Sequence, residues 1–369
     1  MKIAVTGMGL VTPLGMGKEI NWRRLIDGQS QVRYEIKHGA FTARAAGFDD
    51  IPESARQLAM AFLAANEAVS AADLGNSGYK KERIGISAGE SKYNLFSRNF
   101  NMQDSLCLSL GKLLNAGGRT ISVSAACATG SLSVIRGCKM IQEDICDAVI
   151  CGGAETSIHP LYIAAFKNMG VLSKRGVKPF DKERDGFAIG EGAGFIIVED
   201  MKKALLRGAD IYCEIAGFSC GMFSAGAYSV NSGRNMENII KKAAGGEIPD
   251  FIHMHGTGTK ANDYYESEAV SKSFQNSDKI SVCSTKAATG HMLGVSGLAG
   301  AVFSIMAINS GIAAPTLNFK ETDIPFGLDY VCGESKKKRI NSALSLSFGF
   351  AGQGAALYFK KAWAGGVYG

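Results

Sequence analysis

Residues 121–137 read ISVSAACATGSLSVIRG and predict a strand, a sharp turn of small residues around one cysteine, and a helix. Ile121 and Val123 alternate as in a strand, which we expect to be buried. The small residues 124–126 leave room for a ligand to approach the backbone. Apolar residues recur at helical spacing over residues 132–145 and lie on nearly all sides, which predicts a buried helix.

Cys127 would then lie at the N-terminus of this helix. Unpaired N–H groups and the positive end of the helix dipole favour a thiolate there, so we expect a lowered pKa and a usable nucleophile. The alternative is that Cys127 is an inert packing residue, as buried free cysteines commonly are. Nucleophilic chemistry also needs a base or an oxyanion hole, which other segments must supply.

The composition limits the possible classes of protein. With 369 residues, 46% of them apolar, the chain can form one large or two medium domains. The net charge of +6 is dispersed, and no basic stripe is interleaved with aromatics, so we expect no nucleic-acid binding. Nine cysteines without a CxxC pair argue against a disulfide framework and a zinc site. Reduced thiols and the lack of a signal-peptide pattern predict a cytoplasmic protein.

An uncharged stretch at residues 292–319 is long enough to cross a bilayer. Glycines and Pro315 interrupt it, and no basic flank marks its start. We therefore predict a helix buried between two sheets and no membrane span.

The sequence also repeats itself. ISV, small residues, ATG and a helix follow from position 121, and ISV, CSTKAATG and another helix follow from position 280. Alternating strands and helices predict an α/β fold with parallel pairing, divided near Gly208 into halves 1–208 and 209–369. At the chain start, we expect a short strand that turns at Gly7 and Gly9.

The second half contains candidate partners for the thiol. FIHMH at residues 251–255 predicts a strand with His253 and His255 on one face, followed by GTGT with exposed backbone N–H groups and two hydroxyls. His291 follows Gly290 at a predicted helix start, where the helix dipole disfavours its cation. A neutral imidazole can donate a hydrogen bond to a developing oxyanion. A structural role for either histidine remains the alternative.

Charged residues lie near these histidines in the sequence. Lys286 precedes His291 by five residues, and Asp263 and Glu266 follow the GTGT turn. A buried ion pair of Lys286 with a carboxylate would fix both histidines, and surface pairing is the alternative. The polar residues 174–194 either line a functional site or only connect two elements.

Five ordered segments resemble the β-ketoacyl-acyl carrier protein synthases of the Cys-His-His class. They are VSAACATGS (123–131), KPFDKERDGFAIGEGAG (178–194), HGTGT (255–259), STKAATGHMLGVSG (284–297) and SFGF (347–350). The resemblance implies an α/β fold, the thiolase-like αβαβα five-layer sandwich of two duplicated halves. Residues 1–208 would be the ketosynthase half with the nucleophile, and residues 209–369 the half with the two histidines.

The resemblance also implies the chemistry, a decarboxylative Claisen condensation of an acyl-enzyme thioester with malonyl-acyl carrier protein in fatty acid or specialised lipid and polyene synthesis. Cys127 would accept the acyl group, and His255 and His291 would stabilise the enolate. By the same resemblance, Lys286 would orient the site, paired with Glu266 and near Asp263. The N–H groups of Cys127 and Phe350 would form the oxyanion hole, and Phe350 would also gate the acyl pocket. Thr257 and Thr259 would contact the phosphopantetheine.

Implied partners are acyl carrier protein and a second subunit in a homodimer or a heterodimer. No metal and no cofactor are implied beyond the phosphopantetheine of the carrier. Lys202, Lys203 and Arg207 are candidate docking residues for the carrier, and a solvated helix face is the alternative. The alternative function is that of a non-catalytic chain-length-factor-like partner subunit. The chain departs from the family in a short segment at 89–119, in GFAGQG at 349–354, and in His253 where asparagine is common.

Overall fold

The computed structural model describes residues 1–92, 95, 105–222 and 234–362. The helices are α1 (Lys18–Ile26), α2 (Glu53–Ala71), α3 (Leu106–Leu113), α4 (Thr129–Gln142), α5 (Pro160–Asn168), α6 (Met201–Leu206), α7 (Arg234–Ala244), α8 (Lys260–Ser273), α9 (Lys286–Thr289) and α10 (Ser296–Ser310). The strands are β1 (Ile3–Thr12), β2 (Gly15–Met16), β3 (Arg33–Glu35), β4 (Ala40–Ala43), β5 (Ile84–Gly89), β6 (Thr120–Val123), β7 (Ala148–Glu155), β8 (Ile189–Gly190), β9 (Gly192–Asp200), β10 (Cys213–Met222), β11 (Phe251–His253), β12 (Ser281–Cys283), β13 (Ile312–Ala313), β14 (Asp329–Tyr330), β15 (Lys336–Lys337), β16 (Ser342–Phe348) and β17 (Gln353–Lys360).

The main sheet consists of two halves, and corresponding strands follow the same order in both. The first half runs β6-β5-β7-β9-β1, and the second runs β12-β11-β16-β17-β10, with β14 outside β12. In both halves the first three strands are parallel to one another and the last two pairings are antiparallel. This topology confirms the predicted duplication. The assignment of residues 1–208 and 209–369 as separate units stays a prediction.

Three layers of helices alternate with the two halves of the sheet, which gives five layers in all. Helices α2 and α3 pack outside the first half of the sheet, α4 and α10 lie between the halves, and α7 and α8 pack outside the second half. The largest apolar cluster lies in the central layer, and a smaller one lies on each outer side. The αβαβα arrangement is therefore as the resemblance implied.

Helix α10 belongs to the central layer. Among the described residues, the segment Leu293–Ser310 has the length and hydropathy of a membrane span, but 89% of it is buried inside the protein. Burial against both sheet halves explains why the helix is apolar on all sides. The predicted buried helix is confirmed.

Gly7 and Gly9 lie inside strand β1, so the predicted turn at these residues is wrong. Their lack of a side chain instead allows close helix packing, because a Cβ at Gly7 would lie 2.0 Å from the carbonyl oxygen of Ala68 in α2. Gly217 in β10 has the same role, since its Cβ would lie 2.2 Å from the carbonyl oxygen of Ala243 in α7. The duplication thus extends to matched glycines.

We predict that Gly7→Ala destabilises the fold by about 3 kcal/mol, because the added methyl group forces α2 away from the sheet. Gly75→Ala is the matched control, since a Cβ at Gly75 would meet nothing within 4 Å. Urea unfolding of both variants measures the difference. Equal midpoints for Gly7→Ala and Gly75→Ala would contradict the packing account.

The two ATG sequences, which the repeat predicted to occupy equivalent positions before a helix, do not occupy equivalent positions. The first ATG begins α4, whereas the second ends the short helix α9, and α10 begins only at Ser296. The residues that correspond are Ala126 and Leu293, which precede α4 and α10 with φ of 47° and 43°. Non-glycine residues rarely adopt positive φ, so both turns are strained where they approach the central layer.

Strand β6 lies at the edge of the sheet and pairs only with β5 among the described residues. Thr120 and Ser122 are exposed, Ile121 is half-buried and Val123 is buried. The expected burial of this strand is therefore wrong, and its alternation reflects one covered face. Of the short segment that follows β5, residues 93, 94 and 96–104 lie outside the described residues.

Candidate active site

Cys127 lies in the turn between β6 and α4 and is only 4% exposed. The Thr129 hydroxyl fixes this turn, because it accepts a hydrogen bond from the N–H of Ala125 at 2.9 Å and donates one to the carbonyl of Ala126 at 2.8 Å. The backbone N–H of Phe350 donates to the Cys127 sulfur. The predicted strand, turn and helix are confirmed, and Phe350 lies beside the thiol as predicted.

The structure brings Cys127, His255 and His291 together. The sulfur and one ring nitrogen of each histidine all lie within 4.8 Å of one another, and the imidazole centroids are 5.2 Å apart. The three residues come from the turn before α4, the segment that follows β11 and the segment between α9 and α10. A thiol and two imidazoles at this spacing could also hold a metal ion, so the expected absence of a metal stays a prediction.

Both histidines are neutral. Burial lowers the pKa of His255 and His291 well below the usual value, and the nearby charge of Lys286 lowers both further. Both shifts favour a neutral imidazole, as expected for His291, although burial rather than the helix start is the main cause.

Hydrogen bonds indicate which ring nitrogen holds the proton. The N–H of Leu293 donates to Nδ1 of His291 at 3.2 Å, and the Lys286 ammonium lies 3.4 Å from Nδ1 of His255. Both neighbours are donors, so each Nδ1 accepts and each proton lies on Nε2. Two imidazoles in this form present N–H groups to a developing negative charge.

Lys286 supports the backbone that holds His255. Its ammonium donates to the carbonyl oxygen of His255, and burial lowers its pKa to about 8 although Glu266 opposes this shift. Within the described residues, Lys286 and Glu266 form no direct ion pair, so the predicted pairing is wrong in its geometry. Both oxygens of Glu266 are occupied by backbone donors.

The carboxylates of Asp263 and Glu266 accept hydrogen bonds from the backbone of the GTGT turn and of His255 before it. Glu266 accepts the N–H groups of His255 at 2.5 Å and Gly256 at 2.8 Å, and Asp263 accepts that of Gly258 at 3.2 Å. These N–H groups are therefore not exposed to a ligand, contrary to the prediction. The two buried carboxylates act on the shape of the turn.

The polar segment 174–194 connects the histidine segments. The N–H of Phe180 donates to Asp263 at 2.8 Å, the N–H of Gly186 donates to the carbonyl of Gly258 at 2.8 Å, and the N–H of His291 donates to the carbonyl of Ala188 at 2.7 Å. Phe180 has a φ of 63°, a strained value for an aromatic residue. The segment therefore lines the site, one of the two roles considered for it.

The expected low pKa of Cys127 is wrong. Burial raises the pKa of Cys127 to about 11, while Lys286, Lys92 and the N–H of Phe350 lower it less strongly. A helix start favours a thiolate only if the charge is not also removed from water. The resting sulfur is therefore a thiol, whose proton must leave during attack.

Thr257 and Thr259 lie in the GTGT turn that follows His255. Their hydroxyls are 2.9 Å apart, with Thr257 buried and Thr259 half-buried. The ring of Phe350 packs 6.4 Å from Phe166 of α5, and Phe166 packs 5.5 Å from Phe187. An aromatic cluster that includes Phe350 thus lies next to the thiol.

Sequence reasoning missed Glu155 and Lys92. Glu155 ends β7 and accepts the N–H of Ser91 at 3.3 Å and that of Gly294 at 3.2 Å, which fixes the turn after His291. Lys92 pairs with Glu155 at 3.2 Å, and its charge lowers the pKa of both Cys127 and His291. A carboxylate at the end of the apolar AVICGGA segment was the available signal.

Two of the three predicted docking cations are already paired. Lys203 lies 2.5 Å from Asp147, and Arg207 lies 2.6 Å from Glu199 with only 11% of its side chain exposed. Arg207 is therefore wrong as a docking residue, because a buried ion pair anchors it inside the protein. Lys202 is exposed on the same helix.

We expect the decarboxylation of a malonyl thioester to slow as the pH rises through about 8. The Lys286 ammonium donates a charge-assisted hydrogen bond to the His255 carbonyl, and deprotonation replaces it with the weaker bond of a neutral amine and removes the positive charge from the site. The rate of carbon dioxide release from about pH 6 to about pH 10 tests this. A rate that keeps rising above about pH 9 would exclude a role for the Lys286 proton.

Known proteins match nearly the whole chain. The profile of the beta-ketoacyl synthase N-terminal domain matches residues 46–204, and that of the C-terminal domain matches residues 212–320. A 3-oxoacyl-[acyl-carrier-protein] synthase 2 of Synechocystis sp. is 33% identical, with 98% of each chain covered.

Two solved structures have the same fold. One is a type II polyketide synthase acyl-carrier protein in complex with its ketosynthase bound to the hexaketide (TM-score 0.91, 25% identity, 98% of this chain and 99% of that chain). The other is the ishigamide ketosynthase/chain length factor (TM-score 0.89, 27% identity, 98% and 99%). Together with the two profiles, these similarities show that the chain belongs to the beta-ketoacyl synthase family.

Proposed function

We propose that this protein is a 3-oxoacyl-acyl carrier protein synthase that condenses an acyl group held on Cys127 with malonyl-acyl carrier protein. The observation that supports this most strongly is the group of one thiol and two neutral imidazoles within 4.8 Å. Each imidazole has its proton on Nε2, so the site offers a nucleophile and two hydrogen-bond donors. Acyl transfer and enolate stabilisation need these two kinds of group.

In the first step, the Cys127 sulfur attacks the carbonyl carbon of an acyl thioester. The bond from that carbon to the carrier sulfur breaks, and the thiol proton passes to the departing carrier thiolate. The N–H groups of Cys127 and Phe350 stabilise the oxyanion of the tetrahedral intermediate. Because burial raises the pKa of Cys127 to about 11, attack and proton loss are coupled.

In the second step, a malonyl thioester loses carbon dioxide. The electrons of the broken carbon–carbon bond move toward the thioester oxygen, and Nε2–H groups of His255 and His291 stabilise the resulting enolate. The enolate carbon then attacks the acyl-Cys127 carbonyl, which releases the sulfur to take up a proton. The products are carbon dioxide and a 3-oxoacyl thioester that is two carbons longer.

The substrates are thioesters of the phosphopantetheine of acyl carrier protein. Support comes from the related ketosynthase solved in complex with its acyl-carrier protein. Thr257 and Thr259, in the turn after His255, have hydroxyls that can hold the pantetheine amides. Phe350, between the thiol and Phe166, gates the acyl pocket. We place the reaction in the cytoplasm.

A non-catalytic partner subunit is the second candidate, because one relative of similar fold is described as a ketosynthase/chain length factor. The assembled thiol and histidines favour catalysis, since a non-catalytic subunit has no need of them. The subunit arrangement is a homodimer in the first case and a heterodimer in the second.

The test is to incubate the purified chain alone with acyl and malonyl carrier proteins across a series of chain lengths. The proposal predicts 3-oxoacyl carrier protein, detected by mass. No product with any member of the series, but product after addition of a related synthase, would support the partner-subunit function and overturn the proposal.

A further inference from the structure

A third imidazole lies behind the catalytic group. His253 is the last residue of β11 and is 2% exposed, and His255 follows it by two residues. Its ring lies 6.4 Å from Phe303 of α10, away from the thiol. None of the steps described above uses His253.

Gly300 makes room for this ring. A Cβ at Gly300 would lie 2.5 Å from Nδ1 of His253 and 3.0 Å from the hydroxyl of Ser345. Helix α10 therefore approaches β11 closely because position 300 has no side chain. His253 and Gly300 form one packing unit in the central layer.

Packing alone does not explain an imidazole here. Nδ1 of His253 is buried without a hydrogen-bond partner among the described residues. An unsatisfied buried polar atom costs about 1–3 kcal/mol, which an apolar side chain of similar size would avoid. Burial and the charge of Lys286 lower the pKa of His253 to about 3, so the ring stays neutral beside Lys286.

The other ring nitrogen makes a single contact that leads to the catalytic group. Nε2 of His253 lies 3.0 Å from the hydroxyl of Thr285. Thr285 is the N-terminal flanking residue of α9, and its carbonyl accepts the N–H groups of Ala288 at 2.9 Å and Thr289 at 3.1 Å. The contact therefore connects the end of β11, which leads into His255, to the helix that begins with Lys286.

Helix α9 consists of only four residues, its flanking residue Thr285 makes no side-chain cap bond, and the N–H of Lys286 donates only a long hydrogen bond, of 3.4 Å, to the Ser284 hydroxyl. Such a short helix has little stability of its own and depends on tertiary contacts. Its first residue, Lys286, supports the His255 carbonyl, and the chain after it leads through Gly290 to His291. A shift of Thr285 would displace both imidazoles relative to each other.

We propose that His253 is a positioning residue for the decarboxylation step. Through the Thr285 hydroxyl, it holds α9 and Lys286 against the end of β11, from which the chain leads into His255. The proposal rests on the function proposed above. It assigns His253 to the half-reaction that needs both imidazoles and not to acylation of Cys127, which needs the thiol and the N–H of Phe350.

Two substitutions by apolar residues test the contact between His253 and Thr285. His253→Leu removes the ring nitrogens, and Thr285→Val removes the hydroxyl with little change in shape. We expect each to lower malonyl decarboxylation by about 10- to 100-fold, as displaced catalytic groups typically do. Acylation of Cys127 should change by less than about threefold, and the double variant should lose no more than either single variant.

His253→Gln and His253→Asn provide the matched pair. The Gln amide can reach the position of Nε2, whereas the shorter Asn amide reaches only that of Nδ1. We expect Gln to retain decarboxylation within about threefold of wild type and Asn to resemble Leu. Circular dichroism and thermal unfolding check folding, and Thr285→Val decides the question if His253→Leu does not fold.

Equal losses in both half-reactions, full decarboxylation by Thr285→Val, or additive losses in the double variant would each overturn the positioning role. These outcomes leave the proposed function intact, because wild type would still acylate and condense. A wild-type protein that does neither would overturn the proposed function instead.

Discussion

Replacing Cys127 with alanine abolishes acylation and lowers condensation by at least about 10⁴-fold, because no other group in the site can form the acyl thioester. Cys127 is the only cysteine among the described residues whose sulfur lies within 4.8 Å of two imidazole nitrogens. Intact-mass spectrometry after incubation with acyl carrier thioesters measures the loss directly. The wild-type chain should gain one acyl group, and the variant none.

Cys138→Ala is the matched control. Cys138 lies on the same helix, is fully buried, and burial also raises the pKa of its thiol. Its removal should cost about 1 kcal/mol in unfolding free energy and leave acylation unchanged. Acylation that persists in Cys127→Ala, or disappears in Cys138→Ala, would place the nucleophile elsewhere.

Replacing His291 with phenylalanine should lower malonyl decarboxylation by about 10²- to 10³-fold, the typical cost of one lost oxyanion donor. Phenylalanine retains the ring that packs 5.0 Å from Phe187 but has no Nε2–H. The measurement is carbon dioxide release from malonyl carrier protein under saturating conditions.

Acylation of Cys127 is the internal control for His291→Phe. The oxyanion hole for that step uses backbone N–H groups, so the rate of acyl transfer should change by less than about tenfold. A comparable loss in both steps would mean that His291 also takes the thiol proton, and the separate roles proposed for thiol and imidazoles would then be wrong.

The sequence predicted the elements around the site because their patterns are local. The small residues before Cys127, the apolar FI of β11 and the uncharged run of α10 each identify an element without reference to the rest of the chain, although β11 ends at His253 and not at His255 as predicted. The internal repeat then indicated that the two halves stack, and this brings thiol and histidines together. The roles of the individual site residues came from the resemblance to the β-ketoacyl-acyl carrier protein synthases.

The errors concern properties that depend on what packs nearby. Gly7 was expected in a turn, but the approach of α2 decides its role. Cys127 was expected to be acidic, but its 4% exposure outweighs the helix start. The Lys286–Glu266 pair was expected from charge alone, whereas backbone N–H groups occupy the carboxylate. Local sequence contains no information on such distant neighbours.

The most direct test is a single-turnover experiment on the acylated protein. The acyl-Cys127 form is prepared and separated from carrier, malonyl carrier protein is added, and the masses of both proteins are followed with the carbon dioxide released. We predict that the acyl group leaves the protein, appears on the carrier with two additional carbons, and accompanies one equivalent of carbon dioxide. An acyl group that stays on Cys127 while carbon dioxide is released, or that leaves as free acid, would contradict condensation at this site.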